Sequence, residues 1–203
     1  GKRTIMLVPE ISLTPQMVAI FQNRFPGKIA VLHSRLSPGE RFDEWHRIAE
    51  GDADIIIGAR SAIFAPVKDL GLIIIDEEHE ASYKQVEYPY YDARTVARFR
   101  TEQNKALLVM GSATPSVESY YNVVQKSYML VKLTKRATGK PMPQIELIDM
   151  REELKTGNQR IFSEKLVEAM KQELEAERQV ILFLNRRGHY TFVICRECGF
   201  NLK

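Results

Sequence analysis

Residues 72–79 read Leu-Ile-Ile-Ile-Asp-Glu-Glu-His. An unbroken aliphatic run rich in β-branched residues suits a strand covered on both faces, as in a parallel sheet with helices above and below it. Such a strand delivers Asp76 and Glu77, and then His79, to the carboxyl edge of the sheet, where open parallel sheets bind their ligands. Paired carboxylates at that edge suit nucleotide hydrolysis: Asp76 as the holder of Mg²⁺ through its water shell, Glu77 as the group that orients or deprotonates an attacking water. An isolated Asp-Glu pair at a strand end is more often plain surface charge, so the weight of the reading falls on its surroundings.

Around this run the same alternation repeats. Short apolar stretches at residues 4–8, 28–32, 54–57, 106–110 and 179–184 alternate with helical patterns, which predicts βαβ units, a parallel sheet and an α/β fold with helices on both faces. The helix starts are specific. Thr14 precedes Pro15 and a stripe of Val18, Phe21 and Phe25. Ser37, Pro38 and Glu40 form a capping box ahead of Trp45, Ile48 and Ala49, and Ser163 caps a helix carrying Leu166, Val167, Met170 and Leu174, with Glu164 at its positive end. Gly139, Pro141 and Pro143 lie among small and basic residues, so residues 133–143 read as a linker between an α/β unit at 1–132 and a second at 144–203.

A chain of 203 residues with 44% hydrophobic content can bury a real core. Its apolar runs fall far short of the roughly 20 residues that cross a bilayer, so no membrane partner and a cytoplasmic location are expected. The formal charge of +3 is too small to imply a polyanionic partner. Its distribution says more: Lys126, Lys132, Lys135, Arg136 and Lys140 fall in a stretch without Asp or Glu, which is either a nucleic-acid surface or an ordinary solvated linker. Two cysteines, Cys195 and Cys198, exclude a disulfide scaffold and stand as a Cys-x-x-Cys pair.

Three further segments sit where the acidic strand end needs neighbours. Gly111-Ser112-Ala113-Thr114-Pro115 follows the apolar run 106–110 and offers two hydroxyls. Residues 9–16, Pro-Glu-Ile-Ser-Leu-Thr-Pro-Gln, join a strand to a helix whose N-terminus could receive a phosphate. Gly58-Ala59-Arg60-Ser61-Ala62 places a guanidinium suited to a DNA backbone after another strand. Each alone is a good turn or cap. In this order, with Tyr83-Lys84-Gln85, Tyr91-Asp92-Ala93-Arg94 and Phe183-Leu184-Asn185-Arg186-Arg187-Gly188, they resemble the PriA family of primosomal replication-restart helicases, superfamily 2 motors with two RecA-like lobes.

That resemblance implies an ATP-dependent helicase moving 3′ to 5′ on single-stranded DNA, acting at forked DNA with primosome and single-strand-binding proteins. It implies that Asp76 binds Mg²⁺, that Glu77 is the catalytic carboxylate, and that His79, Ser112 and Thr114 couple nucleotide to DNA movement. Thr14, Gln16, Arg60 and Ser61 would line the DNA path. Residues 83–94 hold Tyr83, Tyr88, Tyr90 and Tyr91 with Lys84 and Arg94, either a loop that stacks on single-stranded bases or one whose rings pack on the lobe surface. In the family, Cys195 and Cys198 would open an insertion that binds Zn²⁺; four ligands are needed, and His189 is the one nearby supplement.

The sequence departs from the family pattern in two respects, and one is that the later motifs of the second lobe, including an arginine that would reach the γ-phosphate, are absent. No Gly-Lys-Ser/Thr phosphate loop is present: Gly1-Lys2 is followed by Arg3, and Gly139-Lys140 by Pro141. The expectation is therefore a fragment, most of lobe 1 and the start of lobe 2, that hydrolyses ATP negligibly by itself. Two alternatives share part of the pattern: another superfamily 2 translocase, and a non-catalytic module that binds DNA or a partner. A zinc hydrolase would need His-Glu-x-x-His, which Glu78-His79-Glu80 does not supply.

Overall fold

The computed structural model describes residues 1–9, 14–135, 139, 141–183, 193–194 and 201–202. The chain divides into two compact units, Gly1–Lys132 and Leu133–Lys203. In the first unit the elements run β1 (Arg3–Leu7), α1 (Pro15–Arg24), β2 (Ile29–Leu32), α2 (Pro38–Glu50), β3 (Ile55–Gly58), a 3₁₀ turn (Arg60–Phe64), β4 (Leu70–Ile75) and a second 3₁₀ turn (Ala81–Tyr83). There follow β5 (Lys84–Gln85), β6 (Tyr91–Asp92), α3 (Ala93–Asn104), β7 (Leu107–Met110) and α4 (Val117–Val124). Five strands form one parallel sheet in the order β2-β3-β1-β4-β7, an α/β arrangement of the RecA-like kind. β4, the strand that carries the acidic run, lies inside the sheet between β1 and β7.

Alternate residues of each strand feed two cores. Ile5, Leu7, Ala30, Leu32, Ile56, Ile73 and Ile75 point to the face covered by Ile48 of α2, Ala93 and Ala97 of α3, and Ala62 and Ile63 of the first 3₁₀ turn. Met6, Val8, Ile29, Val31, Ile55 and Ile57 meet Met17 and Phe21 of α1 on the other face. Cover there is partial: on β7, Leu107 and Val109 are 62% and 43% exposed.

The expected caps form. Thr14 Oγ1 accepts from the Met17 amide at 3.2 Å, and Ser37 and Glu40 exchange both bonds of a capping box, at 3.3 and 2.8 Å. Gly58 is required by close approach, since a Cβ there would stand 2.3 Å from the Leu32 carbonyl oxygen. On α3 the Arg100 guanidinium donates to the carbonyls of Ile63 and Ala65, tying helix to turn.

Two expectations are corrected. Phe25 is not part of the buried stripe of α1; it caps the helix C-terminus and is 38% exposed. Trp45 is likewise 39% exposed, while Ile48, one turn on, is buried. The polar side of α2 meets the sheet instead, Glu44 accepting from the Val31 amide at 3.1 Å and Arg47 donating to the Ile29 carbonyl at 3.4 Å.

In the second unit, α5 (Met150–Lys155) is capped by Asp149 and α6 (Glu164–Glu175) by Ser163. Glu153 joins them, accepting from Asn158 Nδ2 at 2.6 Å and from the Glu164 amide at 2.9 Å. β8 (Val193–Ile194) pairs antiparallel with β9 (Asn201–Leu202). The strand expected at 179–184 does not form over 179–183, and residue 184 lies outside the described residues. Ile181 and Phe183 are 93% and 86% exposed, so among the described residues no ladder or core rewards an extended pairing there. Among the described residues no helix is long and apolar enough to cross a membrane.

Tyr83 is 1% exposed within the first core, and its hydroxyl donates to the Asp76 carbonyl at 2.6 Å. Burial first, and then the Asp76 carboxylate beside it, push this phenol well above its ordinary range. A raised phenol contributes stability that is whole below the unfolded value of about 10 and is lost as pH climbs toward the folded value. Stability against urea should therefore fall above about pH 10, and Tyr83→Phe should flatten that fall while costing about 0.5–1.5 kcal/mol at neutral pH. Unfolding followed by Trp45 emission should further show Ile73→Ala losing about 2–5 kcal/mol and Leu107→Ser changing stability by less than about 0.5 kcal/mol.

Candidate functional site

The site begins where β4 ends. The Asp76 amide donates to the Leu7 carbonyl at 2.9 Å, extending the ladder with β1 by one bond. On the opposite side the Gly111 amide donates to the Ile75 carbonyl at 2.8 Å, and the Glu78 amide to the Gly111 carbonyl at 3.0 Å. These bonds carry the β4–β7 pairing past both strand ends, so the Asp-Glu-Glu-His turn and the Ser-Ala-Thr turn grow from one point. A Cβ built on Gly111 would stand 3.7 Å from Asp76 Oδ1, ordinary contact distance.

Within the acidic turn the backbone is forced. Glu77 has φ +45°, in the left-handed region that costs a non-glycine residue about 1–2 kcal/mol. Two bonds hold it there: its amide donates to Asp76 Oδ1 at 3.1 Å, and its carbonyl accepts from the Glu80 amide at 2.8 Å. The twist sends successive side chains apart. Glu77 stays at the surface, its side chain 44% exposed, and Glu78 turns inward.

His79 bridges the two turns. Its Nδ1 lies 2.7 Å from Ser112 Oγ and 3.6 Å from Glu77 Oε2, and its Nε2 lies 3.5 Å from Thr114 Oγ1. Ser112 Oγ also accepts from the Thr114 amide at 2.9 Å. Glu77, His79, Ser112 and Thr114 thus form one linked set, and Asp76 borders it.

Glu78 was no candidate from the sequence, yet it fastens the arrangement. Its carboxylate is 2% exposed and accepts from the Ser116 amide at 2.7 Å, Ser116 Oγ at 3.1 Å and Ser119 Oγ at 2.9 Å. Three donors compensate a buried charge that would otherwise be prohibitively costly. The same bonds hold the start of α4, where Ser116 is the cap, against the acidic turn. The pattern Ser-x-x-Ser after a strand end was the available signal, legible as a helix cap but silent about its distant acceptor.

The expected DNA-contacting residues separate into those at the surface and those bound inward. Thr14 is spent on its cap, and Gln16 beside it is exposed. Arg60 Nη1 donates to the carbonyls of Ser82 and Lys84, at 3.0 and 3.1 Å, and Ser61 is exposed. The tyrosine loop divides in the same way. β5 and β6 make a small hairpin, with Tyr88 and Tyr90 at its tip, 86% and 73% exposed, and Lys84 also exposed. Tyr91, at the base, packs edge-on against Phe64 at 4.9 Å beneath the Arg60 guanidinium.

Tyr83 is not on the loop surface at all: it is core, as described above. Arg94 is bound inward too, donating to Asp92 at 2.6 and 3.0 Å and to the Glu78 carbonyl at 2.9 Å. Burial alone would raise the Asp92 carboxyl, but the hydrogen bonds and charge of Arg94 hold it below its ordinary value. Tyr83 is buried by elements remote in sequence, which local reading does not register, whereas Arg94 is half-buried and held chiefly by Asp92, two residues before it.

Among the described residues no group of three or more His, Cys, Asp or Glu is arranged to enclose a metal ion. Asp76 by itself fits Mg²⁺, which keeps most of its waters and takes one or two carboxylates beside substrate phosphates. Cys195 and Cys198 lie outside the described residues.

Over 200 residues the chain is 51% identical to the replication restart protein PriA of Bacillus subtilis (strain 168), covering 98% of this chain and 25% of that protein. It is 48% identical over 210 residues to the PriA of Synechocystis sp., covering 100% and 25%. The chain thus spans about a quarter of the length of the curated relatives it matches. The Hef helicase domain of Pyrococcus furiosus overlaps with a TM-score of 0.38 at 24% identity, over 62% of this chain and 27% of that one. Residues 1–123 match the DEAD/DEAH box helicase model. An acidic turn and a Ser-Ala-Thr turn fused at the carboxyl edge of a parallel sheet, in a chain matched over residues 1–123, place the protein in the DEAD/DEAH box helicase family.

Proposed function

We propose that the chain is part of an ATP-dependent 3′-to-5′ DNA helicase of replication restart, the activity of the PriA proteins it resembles. Residues 1–132 would be most of its first lobe, 133–143 a linker, and 144–203 part of a second. Single-stranded and forked DNA, with primosome and single-strand-binding proteins, would be its partners in the cytoplasm. By the same resemblance Cys195 and Cys198 would belong to a Zn²⁺-binding insertion.

The observation that carries the proposal is the linked set at the strand end. Glu77 is held at the surface by a left-handed backbone that two hydrogen bonds fasten, which would put a carboxylate where a water could be oriented for attack. Mg²⁺ on Asp76 would supply charge neutralisation for the transferring phosphoryl group. His79 meets Glu77 and Ser112 through Nδ1 and Thr114 through Nε2, so a change in the nucleotide site would be felt at the β7 turn. From there Glu78 transmits it to α4. Arg60, Ser61, Thr14 and Gln16, with Lys84, Tyr88 and Tyr91, would meet DNA.

Two measurements test this reading. The 203-residue chain should hydrolyse ATP negligibly, because its sequence holds no Gly-Lys-Ser/Thr loop to cradle the phosphates. Completed on both sides with the remaining segments of the Bacillus subtilis relative it should show DNA-stimulated hydrolysis, and Glu77→Gln should lower that rate by about a hundredfold or more. An inactive chimera, or one indifferent to Glu77→Gln, would end the motor reading. Replacing Tyr88 and Tyr91 by alanine should weaken single-strand affinity by about 1–3 kcal/mol for each base that loses its stack. Unchanged affinity would return both rings to packing.

A further inference from the structure

Tyr83 and Arg94 stand at the two feet of the β5–β6 hairpin, the first just before β5 and the second in the opening turn of α3. Their polar atoms are aimed at the acidic turn. The Tyr83 hydroxyl donates to the Asp76 carbonyl at 2.6 Å, and Arg94 Nη1 to the Glu78 carbonyl at 2.9 Å. Those two carbonyls lie one residue before and one residue after Glu77. Both donors are braced from behind. Arg60 Nη1 donates to the carbonyls of Ser82 and Lys84, on either side of Tyr83, and Asp92 accepts from the Arg94 guanidinium at 3.0 and 2.6 Å.

A peptide group is planar, so the backbone at Glu77 is set by the two planes that meet at its Cα. In the first plane the Glu77 amide donates to Asp76 Oδ1 at 3.1 Å, and the Asp76 carbonyl accepts from Tyr83. In the second the Glu77 carbonyl accepts from the Glu80 amide at 2.8 Å, and the Glu78 amide donates to the Gly111 carbonyl at 3.0 Å. Both planes are thus held at both ends, and of these four bonds only the one from Tyr83 comes from a side chain outside the turn. The strain of a left-handed residue and the net contribution of one hydrogen bond are of the same order. Removing the Tyr83 bond is therefore enough to let Glu77 leave φ +45° for part of the time. A displacement of about 1 Å in a reacting group can cost about a hundredfold in rate, so small swings of this plane matter to the carboxylate it carries.

We propose that Tyr83 is a positioning residue for the Glu77 carboxylate: its hydroxyl locks the Asp76–Glu77 peptide plane, while Arg94 steadies the plane that follows Glu78. The inference rests on the helicase reading and adds to it a task for two side chains that turn inward. Tyr83 is suited to that task because its ring is fixed in the core, 1% exposed, with its one polar atom spent on the turn.

The test is a double-mutant cycle in the protein completed with the remaining segments of the Bacillus subtilis relative, with ATP hydrolysis measured at saturating DNA. Tyr83→Phe keeps the ring and removes the hydroxyl. It should lower kcat by about threefold to tenfold with the KM for ATP unmoved. On a Glu77→Gln background the same change should cost nothing further, because the group it positions is already lost. Amide hydrogen exchange on the 203-residue chain supplies a readout without turnover. Tyr83→Phe should speed exchange at the Glu80 amide, which closes the turn onto Glu77, and leave Ile73–Ile75 of β4 unmoved. An unchanged kcat, an equal fractional loss with and without the Glu77 carboxylate, or exchange raised alike in the turn and in β4 would overturn the inference. Each of those outcomes leaves the helicase reading standing. Hydrolysis indifferent to Glu77→Gln would overturn both.

Discussion

Everything at the candidate site depends on two backbone bonds, from the Gly111 amide to Ile75 and from the Glu78 amide to Gly111. Parallel strands usually diverge at their carboxyl ends, where loops leave for opposite directions. Here the ladder between β4 and β7 continues beyond the last paired residues, so two turns separated by more than thirty positions in sequence are joined as closely as neighbouring strands. A hydrogen bond between His79 and Ser112 of 2.7 Å follows from that joint, and no local property of either segment would produce it.

The three acidic residues after β4 do different things because the backbone turns sharply among them. Asp76 continues the strand and receives the Glu77 amide, Glu77 occupies a left-handed conformation at the surface, and Glu78 is buried under two serines. A charge at 2% exposure persists only when its hydrogen-bonding capacity is filled, and the N-terminus of α4 fills it with an amide as well as hydroxyls. The result is a rigid seam running from the sheet through the acidic turn to a helix, the kind of scaffold on which a nucleotide-dependent displacement can be passed on.

Much of this was legible from residue order. Periodicity located β1–β4 and β7 to within two residues, because each strand is apolar on both sides and bounded by caps that the sequence spells out. Ser37 and Glu40 form the box their spacing promises. Legibility failed where a residue's fate is decided from afar. Tyr83 looks like its exposed neighbour Tyr88 in sequence, yet the carbonyl of Asp76 and the first core claim it. Arg94 looks like a phosphate ligand, yet the distant Glu78 carbonyl draws it inward and the adjacent Asp92 fixes it there, a local pair the sequence did display. The apolar run at 179–183 promised a strand, but extended backbone needs a partner, and the described part of its unit offers it neither a ladder nor a buried hydrophobic face.

The left-handed backbone at Glu77 constrains this position twice over. Chemistry asks for a carboxylate, while stereochemistry independently penalises any side chain branched at Cβ, and favours asparagine and aspartate among non-glycine residues. Val, Ile or Thr introduced there would disturb the turn itself, and with it the Glu78 and His79 contacts that follow. Drift at this site would therefore run along a narrow corridor of unbranched residues, so that a lost carboxylate and an unravelled turn are separable kinds of damage.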